Sequence, residues 1–303
     1  MLTRAVLLLA VLSAPSPGAV EGDADFLERV AAAPELAVES AGLGTGLTKI
    51  SAVTVDGQGY FYVLHRPEKG DPVVVLSPEG ERLRSWGAGL FKTPHGIRVD
   101  PDGKVWTIDS STSKVSRFTD RGELELEIDI DVPNPEKDFC GASDIAFPGD
   151  GHVLVADGYC NGRVLEFDGR GQKVREWGSR GSGEGQFDVA HSIAVSREGV
   201  VYVADRENGR LQRFDRAGRF LGLWNYARQL YGVALGPKGE LFISVLMRNP
   251  RRPYVLQIDP ETGDILGKIV GPFGHEISVT PSGDLLAAPI SPRFLRLRRE
   301  SNP

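Results

Sequence analysis

One unit is written six times along this chain, and no other feature restricts the possible fold as tightly. Each unit opens with a short apolar strand, turns through a glycine-containing pentad and continues into a second apolar strand. The openings fall at Ser51, His95, Ser143, His191, Tyr231 and His275, roughly 40–48 residues apart. The turns run through Asp56–Tyr60, Asp100–Lys104, Pro148–His152, Ser196–Val200, Gly236–Glu240 and Thr280–Asp284, each with a glycine where a hairpin needs positive φ. A third strand follows (Lys114–Thr119 and its counterparts), then a fourth in the first five units, such as Leu124–Asp129 and Ile265–Val270. Four strands per repeat of this length make a propeller blade. The reading is therefore an all-β, six-bladed β-propeller of four-stranded blades over residues 35–300. The sixth unit lacks its fourth strand, and the N-terminal strand around Glu35–Val38 is expected to complete it and so pair the open edge. Residues 20–34 form a lead-in, with helical period only near Phe26–Ala33.

The residues before that lead-in resemble an export signal. Arg4 supplies positive charge, Ala5–Leu12 is apolar, and small residues follow to Ala19. Residues 1–19 are read as a cleaved signal peptide, and the mature chain as secreted or periplasmic. In that setting the two cysteines, Cys140 and Cys160, most simply form one disulfide. Cys140 precedes the first strand of blade 3 and Cys160 follows its second, so antiparallel pairing brings them together. The net charge of −6, without a block of Lys or Arg, excludes a phosphate-neutralising nucleic-acid binder. No long apolar stretch follows the signal, so no membrane contact is expected. A closed ring needs no partner for its edges, so a monomer is expected.

The first strand of each blade lines the central channel, and the residue that opens it faces the mouth. At that position blades 2, 4 and 6 carry His95, His191 and His275, three of the five histidines in the chain. Alternate blades of a six-membered ring are ~120° apart, so three imidazoles converge on the axis. That arrangement matches a catalytic-type zinc site with an open fourth position. His65 and His152 lie outside this register: His65 ends a second strand, and His152 sits in a turn where solvation is expected.

The second strand returns to the face on which the first begins. Just past these ends lie Arg66 in blade 1, Asp157-Gly158-Tyr159-Cys160 in blade 3 and Asp205-Arg206 in blade 4. Two guanidiniums and a phenol thus gather around the proposed metal. Arginine suits bidentate capture of a carboxylate, and a tyrosine beside cations can serve as a base. Asp109, Asp157 and Asp205 recur at one blade position and read as turn-forming. The glycines of Gly181–Phe187 are not a phosphate loop, because no helix follows them.

Gly181–Phe187 and Ala204–Arg210 resemble the NHL-repeat propellers. More specifically, Pro94–Ile97 with Asp100, Phe139-Cys140, Asp157–Asn161, Ala190–Ser192, Ala204–Arg210 and Gly274–Glu276 resemble the peptidyl-α-hydroxyglycine α-amidating lyases. The resemblance spans roughly residues 45–300 and is weaker in blade 1, at His65-Arg66. It implies cleavage of a peptidyl-α-hydroxyglycine to a peptide amide and glyoxylate. It implies zinc on His95, His191 and His275, with Tyr159 taking the proton of the substrate hydroxyl. Arg66 and Arg206 would hold the carboxylate and depress the Tyr159 pKa. A structural calcium would use the carbonyls of Val53 and Ile97 and the side chain of Glu276. The chain departs from the family where a second disulfide is replaced by Tyr202 and Arg213, where Phe273 replaces a methionine, and where Glu276 replaces an aspartate. No hydroxylating domain is present in the sequence, so the hydroxyglycine substrate would come from a separate enzyme. Two alternatives stand beside this reading: a non-catalytic NHL propeller that binds a protein or glycan, and a calcium-dependent hydrolase of the lactonase type.

Overall fold

The computed structural model describes residues 23–43, 46–226, 228–247, 252–271 and 274–299. The expected signal segment and Phe273 lie outside them. Six four-stranded antiparallel sheets follow one another around a channel. Their inner strands are Lys49–Val55, Pro94–Val99, Asp144–Ala146, Ala190–Val195, Gln229–Leu235 and Glu276–Val279. Ser179–Arg180 and Gln186–Phe187 add a small parallel pair on the loop that enters blade 4.

Burial falls from the axis outward, and the side-chain pattern follows it. Second strands such as Val105–Asp109 and Val201–Asp205 are buried on both faces and read as continuous apolar runs. Outer strands such as Leu124–Asp129 face solvent and carry charge. The core is six clusters, and each joins two neighbouring blades. Tyr62, Leu64 and Val75 of blade 1 meet Ile97, Val105 and Phe118 of blade 2, while Phe61 and Val63 of blade 1 meet Leu286 and Phe294 of blade 6. A recurrent contact sets this spacing. The outer-strand tryptophans Trp86, Trp177 and Trp224 press on Gly122, Gly218 and Gly263 of the next blade. A Cβ at any of these glycines would come within 2.4–2.8 Å of the indole.

The N-terminus completes blade 6 as expected, but with a displaced strand. Val38–Leu43 pairs antiparallel with Phe294–Arg299 in the register Val38↔Arg299 to Leu43↔Phe294. Glu35 lies earlier and bridges Lys268 of blade 5 instead. Two bonds hold it there: Leu36 N donates to the Lys268 carbonyl at 2.8 Å, and Lys268 N donates to the Pro34 carbonyl at 2.9 Å. Leu36 covers Gly267, which has no Cβ to obstruct it. The segment therefore crosses the seam between blades 5 and 6. Upstream, helix α1 (Asp23–Ala32) packs Phe26 and Val30 into the cluster shared by blades 4 and 5. Lys268 Nζ donates to the carbonyls of Val30 and Ala31 at the end of that helix.

Cys140 and Cys160 are joined as a disulfide. Tyr202 and Arg213, which stand where the resembling family has its second bridge, are direct cross-strand partners. Arg213 lies 4.1 Å from the centre of the Trp224 ring, so packing replaces the covalent tie.

Candidate metal centre

In four of the six blades the opening residue reaches the axis because the inner strand is irregular at that point. In blades 1, 2, 4 and 5 a β-bulge falls on Ser51, His95, His191 and Tyr231 respectively. A bulge puts two consecutive residues on one face. Each blade can therefore offer an upper residue to the mouth and a lower one, immediately after it, to the channel. Ser143 and His275 stand directly before their strands and bond back through Ser143 N to Ala156 O and His275 N to Ala288 O, both at 2.8 Å.

His95, His191 and His275 are all buried. Their ring centroids are 4.9–5.3 Å apart, and their ligand atoms lie within 4.8 Å of one another. Each Nδ1 faces a backbone carbonyl of the next blade: His95 to Ser143 at 2.8 Å, His191 to Tyr231 at 2.8 Å and His275 to Ser51 at 3.1 Å. A carbonyl only accepts, so Nδ1 carries the proton and Nε2 keeps its lone pair. The three Nε2 atoms face inward, and that of His191 is buried with no hydrogen-bond partner. This donor set fits a small, borderline-soft cation, with the three carbonyls fixing ring orientation. Burial holds all three imidazoles neutral. His275 is lowered to about 3, and His95 and His191 lie well below the ordinary histidine range, each also repelled by His275 and an arginine.

Tyr159 stands over this group, its hydroxyl 2.7 Å from His95 Nε2. Its backbone is held on two sides. The disulfide adjoins it, and Gly158 lies so close to the inner strand of blade 4 that a Cβ would sit 2.1 Å from the Ala190 carbonyl oxygen. The Arg206 guanidinium lies 5.5 Å from the centre of the Tyr159 ring and 5.2 Å from that of Tyr231. Arg66 donates from Nε to Pro94 O at 3.0 Å and lies 5.5 Å from the Phe139 ring centre. The expected depression of the Tyr159 pKa is not how the balance falls. Desolvation pushes the phenol up to about 12, against the pull of Arg206 and, more weakly, Arg66.

Phe139 and Tyr231 complete the wall. Phe139 lies 5.6 Å from the Tyr159 ring, and Tyr231 lies 5.2 Å from that of His191. Their place in the site was not read from sequence, although Tyr231 holds the same register as the histidines and Phe139 adjoins Cys140. Phe139 and Val189, beside the site, both adopt positive φ, at 55° and 65°, a strain of order 1–3 kcal/mol each.

The remaining candidates fall elsewhere. Asp109, Asp157 and Asp205 bind turn groups: Asp109 accepts from Thr93 N and Ser111 N, Asp157 from Arg163 Nε, and Asp205 from Arg210 Nε and Asn208. His65 bonds Thr48 and Asp71. His152 is not merely solvated, since Nδ1 meets the buried Glu166 carboxylate at 2.8 Å. Below the triad, Glu276 and Asp144 share the guanidinium of Arg98, at 2.8 and 2.9 Å. Arg98 Nη1 also donates to Ile97 O at 3.4 Å, and the Val53 carbonyl accepts from Ser278 Oγ at 2.8 Å.

The fold and the site define an all-β propeller with an axial histidine triad under a phenol and two arginines. The NHL repeat model matches residues 91–118 and 187–214. The chain is a six-bladed β-propeller that carries two NHL-repeat matches and is similar in sequence to peptidyl-α-hydroxyglycine α-amidating lyases. It is 34% identical to peptidyl-glycine alpha-amidating monooxygenase B of Xenopus laevis over 190 residues, covering 58% of this chain and 22% of that protein. To a probable peptidyl-alpha-hydroxyglycine alpha-amidating lyase of Caenorhabditis elegans it is 33% identical over 148 residues, covering 47% and 42%. To lyase 1 of Drosophila melanogaster it is 28% identical over 283 residues, covering 79% and 51%. The chain thus spans about a fifth to a half of the length of these relatives. Among solved structures, a streptogramin B lyase superposes with a TM-score of 0.63 at 13% identity, covering 87% of this chain and 98% of that one, and shares the fold. No helix among the described residues is long and apolar enough to cross a membrane.

Proposed function

We propose that this chain is a zinc-dependent lyase that splits peptidyl- or N-acyl-α-hydroxyglycine into the amide and glyoxylate. The observation that carries the reading is the orientation of the triad, with three neutral imidazoles whose Nδ1–H groups are spent on carbonyls and whose Nε2 lone pairs face one point. A zinc ion held by His95, His191 and His275 would supply Lewis acidity toward a substrate oxygen. Arg66 and Arg206 flank the mouth and hold the substrate carboxylate. Tyr159 Oη removes the hydroxyl proton as the carbon–oxygen double bond forms. The electron pair of the N–Cα bond passes to nitrogen, which takes up a proton, so the amide and the aldehyde leave with atoms and charge in balance. Arg206 and, more weakly, Arg66 offset part of the desolvation that pushes the Tyr159 phenol up to about 12. Phe139 and Tyr231 present apolar faces to the part of the substrate before the hydroxyglycine.

A lactonase-type hydrolase needs a free carboxylate cluster in the channel, and here Arg98 engages both Asp144 and Glu276. The disulfide accords with an exported protein, which on this reading acts as a monomer on substrate supplied by a separate hydroxylating enzyme. The test is glyoxylate release from an N-acyl-α-hydroxyglycine by zinc-loaded protein, compared with chelated protein and with Tyr159→Phe. Release that is lost in both controls supports the reading. No release above the uncatalysed rate, with zinc bound and the fold intact, overturns it.

A further inference from the structure

The channel beneath the triad contains the one ligand set the family resemblance implies but this chain does not leave open. Each of the three calcium donors already has a partner from the chain itself. Glu276 Oε2 accepts from Arg98 Nη2 at 2.8 Å, Ile97 O faces Arg98 Nη1 at 3.4 Å, and Val53 O accepts from Ser278 Oγ at 2.8 Å. A second buried carboxylate, Asp144, closes the arrangement. Its Oδ2 accepts from Arg98 Nη2 at 2.9 Å, Ser192 Oγ at 2.6 Å and Ile193 N at 3.2 Å.

We propose that the guanidinium of Arg98 is the resident cation of this channel, and that the protein neither holds nor needs a structural calcium. Calcium takes six to eight oxygens at about 2.3–2.6 Å. Here one carboxylate oxygen, Glu276 Oε1, is buried without a partner, and a single free acceptor does not make such a site. A guanidinium bonded to both carboxylates occupies the position a divalent ion would take between them, and the two cations repel. Arg98 suits the place chemically, because its charge is permanent and its fork reaches two carboxylates at once.

The sequence register explains why it fits. Arg98 is the fourth residue of its inner-strand repeat. The same position holds Thr54, Ala146, Ala194, Ala234 and Ser278 in the other blades, all small. Five short side chains leave axial room for one long one. The ion pairs tie blade 2 to blades 3 and 6 immediately below the mouth. Glu276 adjoins His275, and Asp144 adjoins Ser143, whose carbonyl orients His95.

The deciding measurement is metal content and thermal response of zinc-loaded protein equilibrated with calcium, which is independent of glyoxylate release. A calcium site with a dissociation constant of about 0.1 mM, saturated at about 10 mM, raises Tm by about 5 °C or more. The proposal expects no bound calcium by elemental analysis after gel filtration and less than about 1 °C of calcium-specific shift relative to magnesium. One calcium per chain, or a shift of the full size, overturns it. In Arg98→Ala the two carboxylates lose their cation. That variant is expected to melt lower than wild type and to regain part of the loss with calcium but not magnesium. An Arg98→Ala chain as stable as wild type and indifferent to calcium also overturns the proposal. If the variant does not fold, the wild-type calcium measurement decides alone.

Discussion

The triad carries a direct thermodynamic signature in metal-free protein, and His275→Asn isolates it. In the folded chain His275 titrates at about 3, because burial disfavours the imidazolium. In the unfolded chain it titrates near the ordinary value of about 6.5. Its folded pKa is therefore lowered, so the unfolded state binds the extra proton. The neutral, buried imidazole weighs nothing against folding above about pH 6.5. It weighs progressively more as the pH falls from there toward the folded value. At pH 5 the single histidine costs about 2 kcal/mol relative to pH 8, from linkage between about 6.5 and about 3. His95 and His191 are lowered in the same direction. Asp205 acts the other way: burial raises its pKa to about 6, so it favours folding as the pH falls through that value. Both chains share Asp205, and its contribution cancels in the comparison.

The assay is urea unfolding of metal-free wild type and His275→Asn at pH 8, 7, 6 and 5, followed by circular dichroism. Wild type is expected to lose about 2 kcal/mol more than the variant on going from pH 8 to 5, the equivalent of roughly one additional proton taken up on unfolding. Equal acid losses in the two chains would falsify the claim that His275 sits neutral and desolvated in the native state, and with it the orientation of the triad. Metal binding adds stability above pH 7 in wild type only, without removing the slope, because the bound imidazoles remain unprotonated.

Three further outcomes follow from the same geometry. Gly158→Ala places a Cβ against the Ala190 backbone, at 2.1 Å from O and 2.6 Å from N, and is expected to cost about 1–3 kcal/mol and to weaken zinc retention, read by calorimetry and metal analysis. An unchanged Tm would show that the Tyr159 loop and the His191 strand are not in contact. Cys140→Ser opens a bridge of sequence separation 20 and is expected to lose about 3 kcal/mol in non-reducing urea titrations, with no loss when wild type is measured already reduced. Arg206→Gln removes one carboxylate clamp and is expected to raise KM for an N-acyl-α-hydroxyglycine roughly tenfold to a hundredfold, while Tm moves little. A normal KM in that variant rules out carboxylate capture by Arg206.

Much of this architecture was legible because a propeller converts sequence period into angle. The six openings could be aligned by eye, and the alternation of histidine with serine or tyrosine at that position showed that three imidazoles would meet. What could not be read was how far individual residues reach and which interaction dominates. The strand that completes blade 6 is shifted because Leu36 finds Gly267 of blade 5 before the chain arrives at Phe294–Arg299, and that packing choice leaves no periodic trace. The structure sets Tyr159 over the triad, and its protonation depends on desolvation against two guanidiniums, which spacing does not weigh. Arg98 does leave a trace: it is the one charged residue in a register of small ones, at the fourth position of the repeat rather than the first, where the histidines lie.

The alternation of blades also divides labour within the centre. Even blades contribute imidazoles, and odd blades contribute the carbonyls of Ser51, Ser143 and Tyr231 that orient them. Main-chain acceptors need no particular side chain, so the odd blades are free to place other chemistry at the same height. Blade 5 uses that freedom for Tyr231, whose ring faces His191 and Arg206. Blades 1 and 3 keep serines there, with Ser51 Oγ bonded to Leu64 O and Ser143 Oγ to the carbonyls of Ala156 and Ala190. Their contributions to the mouth come instead from the ends of the second strands, as Arg66 and Tyr159. The asymmetry of the pocket is thus built on a three-fold set of backbone contacts, and side chains at odd blades can change without turning a single imidazole away from the axis.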